Sequence, residues 1–172
     1  HLAARGAQAA LVYVSTETGE EKTYTYAQLH REVNRMAGIL RGLGVGVGDR
    51  VLVYMPMIPE AVFAMLACAR IGAIHSVVFG GFASVSLATR IDDAKPAVIV
   101  SADAGSRAGK VVPYKPLLDE AIRLAQFPPR NVVLVDRGLA PMARVAGRDL
   151  DYAQLRAAHM NDEVACEWLE DR

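Results

Sequence analysis

Two glycine-containing turns carry the residues of this sequence that are best suited to hold a phosphate group. One is the turn at residues 79–81 (FGG), and the other is the basic segment at residues 105–110 (GSRAGK). In the second segment, Arg107 offers a forked pair of hydrogen-bond donors and Lys110 offers a point charge. One interpretation of this segment is a clamp for a phosphate-bearing ligand, and the other is a solvated basic loop.

The basic segment is not a P-loop, although it resembles one at first sight. Position 104 is Ala where the opening glycine is needed, and position 111 is Val where a Ser or Thr would ligate Mg²⁺. A helix predicted from residue 112 would add the partial positive charge of its N-terminus. The glycine-rich run 42–48 is not a dinucleotide-binding turn either, because it follows a helix and precedes a strand.

The turn at residues 79–81 also has two interpretations. Its missing side chains could let a ligand pass close to the backbone while Phe79 stacks on a flat ring, or they could simply make a tight strand-to-helix turn. No nucleophile–base pair, paired carboxylate or metal cluster is visible, so no catalytic residue is predicted. The predicted binding residues are Phe79, Gly80, Gly81, Arg107, Ala108, Gly109 and Lys110.

Composition excludes several classes of function. The 19 basic and 19 acidic residues cancel, which argues against a nucleic-acid or membrane surface. No apolar run is long enough to span a bilayer. Two cysteines fit a reducing cytoplasm better than a disulfide framework, and core packing is the expected role of Cys68. The four histidines are scattered, so a metal site is not expected.

Strands and helices alternate between residues 49 and 135, which predicts an α/β fold with an open, mostly parallel sheet flanked by helices. Residues 10–15 and 22–26 predict an N-terminal β-hairpin, and Thr25 with Gln28 predicts a capping box for the helix that follows. The predicted strands are 49–55, 74–79, 97–101 and 132–135. The predicted helices are 59–71, 84–93 (capped by Ser84 or Ser86), 112–125 and 152–158.

Ligands bind such sheets outside the carboxyl ends of the strands, where both glycine-containing turns are expected. The helix at 59–71 is predicted to bury Val62, Met65, Leu66 and Ala69. The helix at 112–125 is predicted to bury Leu117, Leu118, Ala121 and Leu124. The organisation expected is a hairpin entry at 1–26, a βαβ core at 27–136, and a loop, short helix and polar tail at 137–172.

Several strings resemble the AMP-forming acyl-CoA synthetases, within the adenylate-forming superfamily. The resemblance covers nearly the whole chain and is sharpest at residues 72–82 (GAIHSVVFGGF), which look like the acetyl- and propionyl-CoA synthetase branch. Residues 101–107 (SADAGSR) and 109–121 (GKVVPYKPLLDEA) look more like propionyl- than acetyl-CoA synthetase.

The resemblance implies that a short carboxylic acid reacts with ATP and Mg²⁺ to give an acyl-adenylate and pyrophosphate, and that the CoA thiol then displaces AMP. It implies that Arg107 and Lys110 hold the CoA 3′-phosphate, that Phe79 lies against the nucleotide, and that Gly80 and Gly81 leave room for the ligand. Position 110 departs from family members with Arg there. The Lys here keeps the charge but loses the fork, so a weaker contact is expected.

The family's ATP loop, acid pocket, ribose-binding Asp and C-terminal domain with the catalytic Lys have no counterpart in these residues. Residues 166–171 (CEWLED) look like the approach to that ATP loop. The chain is therefore interpreted as the opening part of the large N-terminal domain, and it is expected to be inactive alone. Uncovered apolar surface would then predict self-association or a disordered tail after about residue 137.

Two other functions stay open at this point. One is a non-catalytic nucleotide- or CoA-binding α/β module, which a natural stop after Arg172 would favour over a reading frame that continues into a Thr/Ser/Gly-rich loop. The other keeps the superfamily but changes the substrate to an aryl or longer-chain acid, since the acid pocket lies outside this sequence.

Overall fold

The computed structural model describes residues 1–170 and has a five-stranded, wholly parallel sheet as its centre. The strands are β1 (Ala9–Val14), β2 (Glu21–Thr25), β3 (Arg50–Met55), β4 (Ile74–Phe79), β5 (Val98–Ala102), β6 (Ala104–Arg107), β7 (Lys110–Pro113), β8 (Asn131–Val135) and β9 (Asp149–Asp151). The strand order of the sheet is β4-β3-β5-β8-β9, and the pairs β1-β2 and β6-β7 form two separate antiparallel hairpins. The helices are α1 (Leu2–Arg5), α2 (Tyr26–Gly42), α3 (Pro59–Arg70), α4 (Ser84–Ala94), α5 (Tyr114–Leu124) and α6 (Tyr152–Ala158).

Helices cover both faces of the sheet, and this is why its central strands are apolar at consecutive positions. In β3, Val51 and Val53 pack into the core formed with α2 and α3, whereas Leu52 and Tyr54 pack into the core formed with α4 and α5. The predicted α/β class and N-terminal hairpin are confirmed, and the four predicted strands of the sheet agree with β3, β4, β5 and β8 to within one residue at each end.

The entry into α2 follows from local sequence alone. The hydroxyl of Thr25 accepts a hydrogen bond from the Gln28 backbone at 3.2 Å, and the Gln28 side chain accepts one from the Thr25 backbone at 2.8 Å. These two bonds satisfy donors that the first helical turn would otherwise leave unpaired. The predicted capping box is therefore confirmed.

The predicted buried face of α3 is wrong. Leu66 is exposed, Ala69 is exposed, and Val62 and Met65 are only half-buried. The residues that α3 buries are Pro59, Ala61, Phe63, Ala64, Ala67 and Cys68. Because α3 packs against both the sheet and α2, most of its inner residues are small and allow close approach, with Phe63 as the one large side chain among them. Cys68 is in the core, as expected.

Two helix starts also differ from the predictions. Helix α4 begins after Ala83 with no side-chain cap, so neither Ser84 nor Ser86 caps it. Helix α5 begins at Tyr114 rather than at residue 112, because residues 110–113 belong to β7. Its buried face includes Leu118 and Ala121 as predicted, but Leu124 is exposed and Leu117 is only half-buried.

The segment after residue 137 is more structured than predicted, because β9 extends the sheet beside β8. A buried ion network holds β9. The Lys115 ammonium, whose side chain is 1% exposed, lies 2.9 Å from Asp149 and 2.6 Å from Asp119, and the Arg148 guanidinium lies 2.6 Å from Asp149. Burial would raise the pKa of Asp149, but hydrogen bonds from Arg148, the Val145 backbone and Lys115 outweigh it and hold that pKa below its usual value.

Long-range bonds also anchor α6 and the chain that follows it. Arg156 of α6 makes two hydrogen bonds to the Glu32 carboxylate of α2, at 2.8 and 2.6 Å. The Val164 backbone donates to the Asn34 side chain at 2.8 Å. A disordered tail is therefore the wrong alternative for residues 149–164, whereas self-association stays a prediction.

Candidate functional site

A cleft of about 400 Å³ opens at the carboxyl ends of β3 and β4. The turn after β4 forms one wall, and the β6-β7 hairpin forms another. Its lining includes Glu17, Phe79, Gly80, Gly81, Arg107 and Tyr114. The structure therefore brings Arg107 together with the turn at residues 79–81, which are 26 residues or more apart in the chain, at the sheet edge where ligands of open α/β sheets bind.

The basic segment is a tight β-hairpin and not a flexible loop before a helix. Arg107 and Lys110 are directly opposite each other in the β6-β7 register, so their side chains leave the same face of the ribbon. Helix α5 begins four residues after Lys110, so its N-terminus is farther along the chain from the two cations than predicted, although its first residue, Tyr114, lines the same cleft.

Ala108 and Gly109 form the turn at the tip of this hairpin, outside the lining of the cleft. Both have positive φ, 51° and 75°, which makes the turn type I′. The left-handed conformation costs a non-glycine residue about 1 kcal/mol. This strained two-residue turn sets the spacing of the two cations.

Tyr114 gives the glycines of both turns a structural reason. A Cβ atom on Gly80 would lie 1.9 Å from the Tyr114 hydroxyl, and one on Gly105 would lie 2.3 Å from it. The tyrosine ring therefore occupies the space that both glycines leave, so room for a ligand is not needed to explain Gly80. At Gly81, φ is +94° and nothing lies within 4 Å of the Cβ direction, so the cleft is open there.

Tyr54 holds the turn at residues 79–81 in position. Its ring centre lies 5.0 Å from that of Tyr114. Its hydroxyl accepts a hydrogen bond from the Gly81 backbone N–H at 3.4 Å and donates one to the Phe82 carbonyl at 3.5 Å. Burial raises the pKa of both tyrosine hydroxyls. The sequence did not predict a role for either tyrosine. A possible signal for Tyr114 was its position, four residues after Lys110 at the end of the basic segment.

Phe79 offers a flat apolar surface at the mouth of the cleft. It is 71% exposed although it ends a strand, and it contacts Phe82 edge-to-face with ring centres 6.5 Å apart. An exposed aromatic ring near an arginine is a suitable surface for a planar, negatively charged ligand such as a nucleotide.

Comparison with known proteins shows the family of the chain. The family model described as "AMP-binding enzyme" matches residues 1–164. The chain belongs to the AMP-binding enzyme family.

Several relatives within the AMP-binding enzyme family are similar over most of the chain. A propionate–CoA ligase of Escherichia coli (strain K12) is 68% identical over 161 residues, which are 94% of this chain and 26% of the relative. An acetyl-coenzyme A synthetase of Methylorubrum extorquens (strain PA1) is 48% identical over 99% of this chain and 26% of the relative. The chain thus spans about a quarter of the length of these relatives.

A solved member with the same fold is an acetoacetyl-CoA synthetase from Streptomyces lividans. It aligns with a TM-score of 0.83 and 33% identity, over 96% of this chain and 25% of its own. Within residues 1–170, no cluster of three or more His, Cys, Asp or Glu side chains is arranged to hold a metal ion. In the same residues, every helix is too short or too polar to cross a membrane.

Proposed function

We propose that this chain is part of an AMP-forming ligase that joins acetate or propionate to coenzyme A. In the first step, a carboxylate oxygen attacks the α-phosphorus of ATP and pyrophosphate leaves. In the second, the CoA thiol attacks the acyl carbon and AMP leaves. We propose propionate ahead of acetate only from similarity, since the chain is 68% identical to a propionate–CoA ligase and 48% identical to an acetyl-coenzyme A synthetase.

The part that we assign to these residues is binding of the nucleotide end of CoA. Arg107 makes a forked contact with the 3′-phosphate, and Lys110 adds charge from the opposite strand of the hairpin. Phe79 stacks on the adenine, and the open side of Gly81 lets the ligand approach the backbone. Ala108 and Gly109 keep the two cations at a fixed separation.

One observation carries this assignment: the Arg107 residue and the turn at residues 79–81 line the same cleft. Had they faced different sides of the sheet, no single nucleotide could contact both. The exposed ring of Phe79 is the second support, because an apolar side chain that buries little within the chain gains from covering by a ligand.

Binding of adenosine 3′,5′-bisphosphate to the purified chain, measured by titration calorimetry, tests this assignment. We expect Arg107→Ala to weaken binding roughly tenfold or more, since a hydrogen bond to a charged group contributes about 1.5–3 kcal/mol. Arg107→Lys should lose less. The matched control is Arg123→Ala, which removes an exposed arginine of α5 that pairs with Glu120. Equal affinities for the bisphosphate and for adenosine would overturn the phosphate contact.

We also propose that residues 1–172 belong to the large N-terminal domain of a cytoplasmic enzyme, and that the ATP and Mg²⁺ sites and the acid pocket are formed by other residues. The chain alone should then release no pyrophosphate from ATP, Mg²⁺ and propionate. Pyrophosphate release above background, abolished by heating the protein, would contradict that expectation.

A further inference from the structure

We propose that Glu17 is a positioning residue, which holds Arg107 at the cleft by fixing the free edge of β6. This inference rests on the proposed binding of the nucleotide end of CoA. It concerns a residue in the turn between β1 and β2, about 90 positions before Arg107 in the chain.

The Glu17 carboxylate joins three separate parts of the molecule. One oxygen accepts a hydrogen bond from the Ser106 backbone N–H at 2.5 Å, and the other pairs with the Arg137 guanidinium, which follows β8. Arg137 in turn donates to the Ala104 carbonyl at 3.2 Å. The pair therefore connects the N-terminal hairpin, β6 and the segment after β8.

The two backbone groups that this pair satisfies belong to residues two apart in β6, so they point to the same edge of the strand. The partner strand β7 occupies the other edge. The ion pair thus occupies the edge of β6 where a third strand would pair in a larger sheet. Its last contact is with Ser106, the residue before Arg107.

Burial makes this contact more rigid than an ordinary surface pair. The Arg137 and Glu17 side chains are 11% and 19% exposed. Exposed pairs contribute little, but removing one partner of a largely buried pair leaves an uncompensated charge. Asp103 supports the same edge, since its carboxylate accepts hydrogen bonds from the backbones of Ala104 at 2.8 Å and Leu139 at 2.6 Å.

Glu17 also lines the cleft itself, and this allows a test by the sign of the effect. A carboxylate near a phosphate site repels the ligand, so on electrostatics alone Glu17→Ala should strengthen the binding of adenosine 3′,5′-bisphosphate. If Glu17 positions Arg107, the same substitution should weaken binding, although it makes the cleft more positive.

The experiment measures bisphosphate affinity by calorimetry and amide exchange of Ser106 by NMR. We expect Glu17→Ala to weaken binding about tenfold and to speed exchange at Ser106 about tenfold or more. Glu17→Gln keeps an oxygen that can accept from Ser106, and we expect a loss of about threefold. The matched control is Glu20→Ala in the same hairpin, which removes the same charge from a surface pair with Lys22 and should change affinity by less than twofold.

The outcomes separate this inference from the function on which it rests. If the unchanged chain does not bind the bisphosphate, the proposed function fails. If it binds, and Glu17→Ala binds as well as or better than Glu20→Ala, the positioning role is overturned and the proposed function stands. If Glu17→Ala does not fold, Glu17→Gln decides, and unchanged affinity with unchanged Ser106 exchange in that variant overturns the inference.

Discussion

The two edges of the five-stranded sheet are built in opposite ways. Strand β9 has three residues, two of them aspartates, and buried ion pairs hold it. Strand β4 has six residues without Asp, Glu, Lys or Arg, and it exposes Ile74, Val77 and Phe79. Among residues 1–170, β3 is its one neighbour in the sheet. Short, charged edges resist pairing with another chain, whereas long apolar edges invite it.

We call β9 the closed edge, because its polar groups are paired within the chain. We call β4 the open or receptive edge, because its exposed apolar residues can contact a partner or a ligand. The cleft lies next to the open edge, because Phe79 is the last residue of β4. One edge of the sheet, β9, is therefore fixed by ion pairs. The other edge, β4, has apolar residues that make few contacts within the chain. Four predictions test how far this contrast holds.

The largest loss of stability should come from removing the ion pair between Lys115 and Asp149 at the β9 edge. Replacing Lys115 by Met leaves the buried Asp149 carboxylate with Arg148 as its remaining ion-pair partner. We expect the free energy of unfolding to fall by about 3 kcal/mol, as measured by urea denaturation. Lys22→Met, at an exposed pair, should cost less than about 0.5 kcal/mol. Equal losses in the two variants would show that the network is not what holds β9.

The next effect concerns self-association through the open edge. Val77 is 57% exposed in the middle of β4. A lysine there puts charge on the edge, so Val77→Lys should raise the dissociation constant of any self-association roughly tenfold or more, as measured by sedimentation equilibrium. Val85→Lys, on the exposed face of α4, is the control. A chain that stays monomeric at high concentration, or an equal effect of the control, would contradict pairing through β4.

Acid should weaken the closed edge selectively. Because the folded pKa of Asp149 lies below its ordinary value of 3.8, its contribution to stability is present above that value and is lost as the pH falls through the depressed pKa. Unfolding free energies measured across this acid range should therefore decline less steeply for Asp149→Asn. Amide exchange in β9 should also rise before that in β3. A variant with an unchanged pH profile would assign the acid sensitivity to other carboxylates.

The smallest effect on stability should come from Phe79. Since its ring is mostly exposed, Phe79→Ala should change the free energy of unfolding by less than about 0.5 kcal/mol. The same variant should bind adenosine 3′,5′-bisphosphate several-fold more weakly, because the stacking surface is lost. A Phe79→Ala variant that is strongly destabilised would make the residue part of the core and not part of the receptive edge.

Local patterns predicted the sheet well because continuous apolar runs, Thr25 with Gln28, and Pro59 at the start of α3 act within one or two turns of chain. They failed where distant residues decide. Strand β9 has no strand pattern of its own, and its position depends on Lys115 and Arg148. The inner face of α3 is mostly small residues selected by its neighbours, whereas a pattern search favours the large ones.

The candidate site shows the same division. Phe79 and Arg107 could be predicted from residue type and the order of strands, since Phe79 ends the predicted strand 74–79 and the segment with Arg107 comes after the predicted strand 97–101. The hairpin geometry could not, because Ala108 replaces the Asn, Asp or Gly usual in a type I′ turn. Glu17 and Tyr114 gave no signal, since their roles come from contacts with β6 and with two glycines far away in sequence.

Because the ring of Tyr114 lies between Gly80 and Gly105, substitutions at these three positions depend on one another. A larger residue at either glycine displaces the aromatic ring, and a displaced ring disturbs the opposite turn. Such a change becomes tolerable only after position 114 has first become smaller. Homologous sequences should therefore vary at these three sites in concert, with a fixed order of substitution, even though no two of the sites adjoin in the chain.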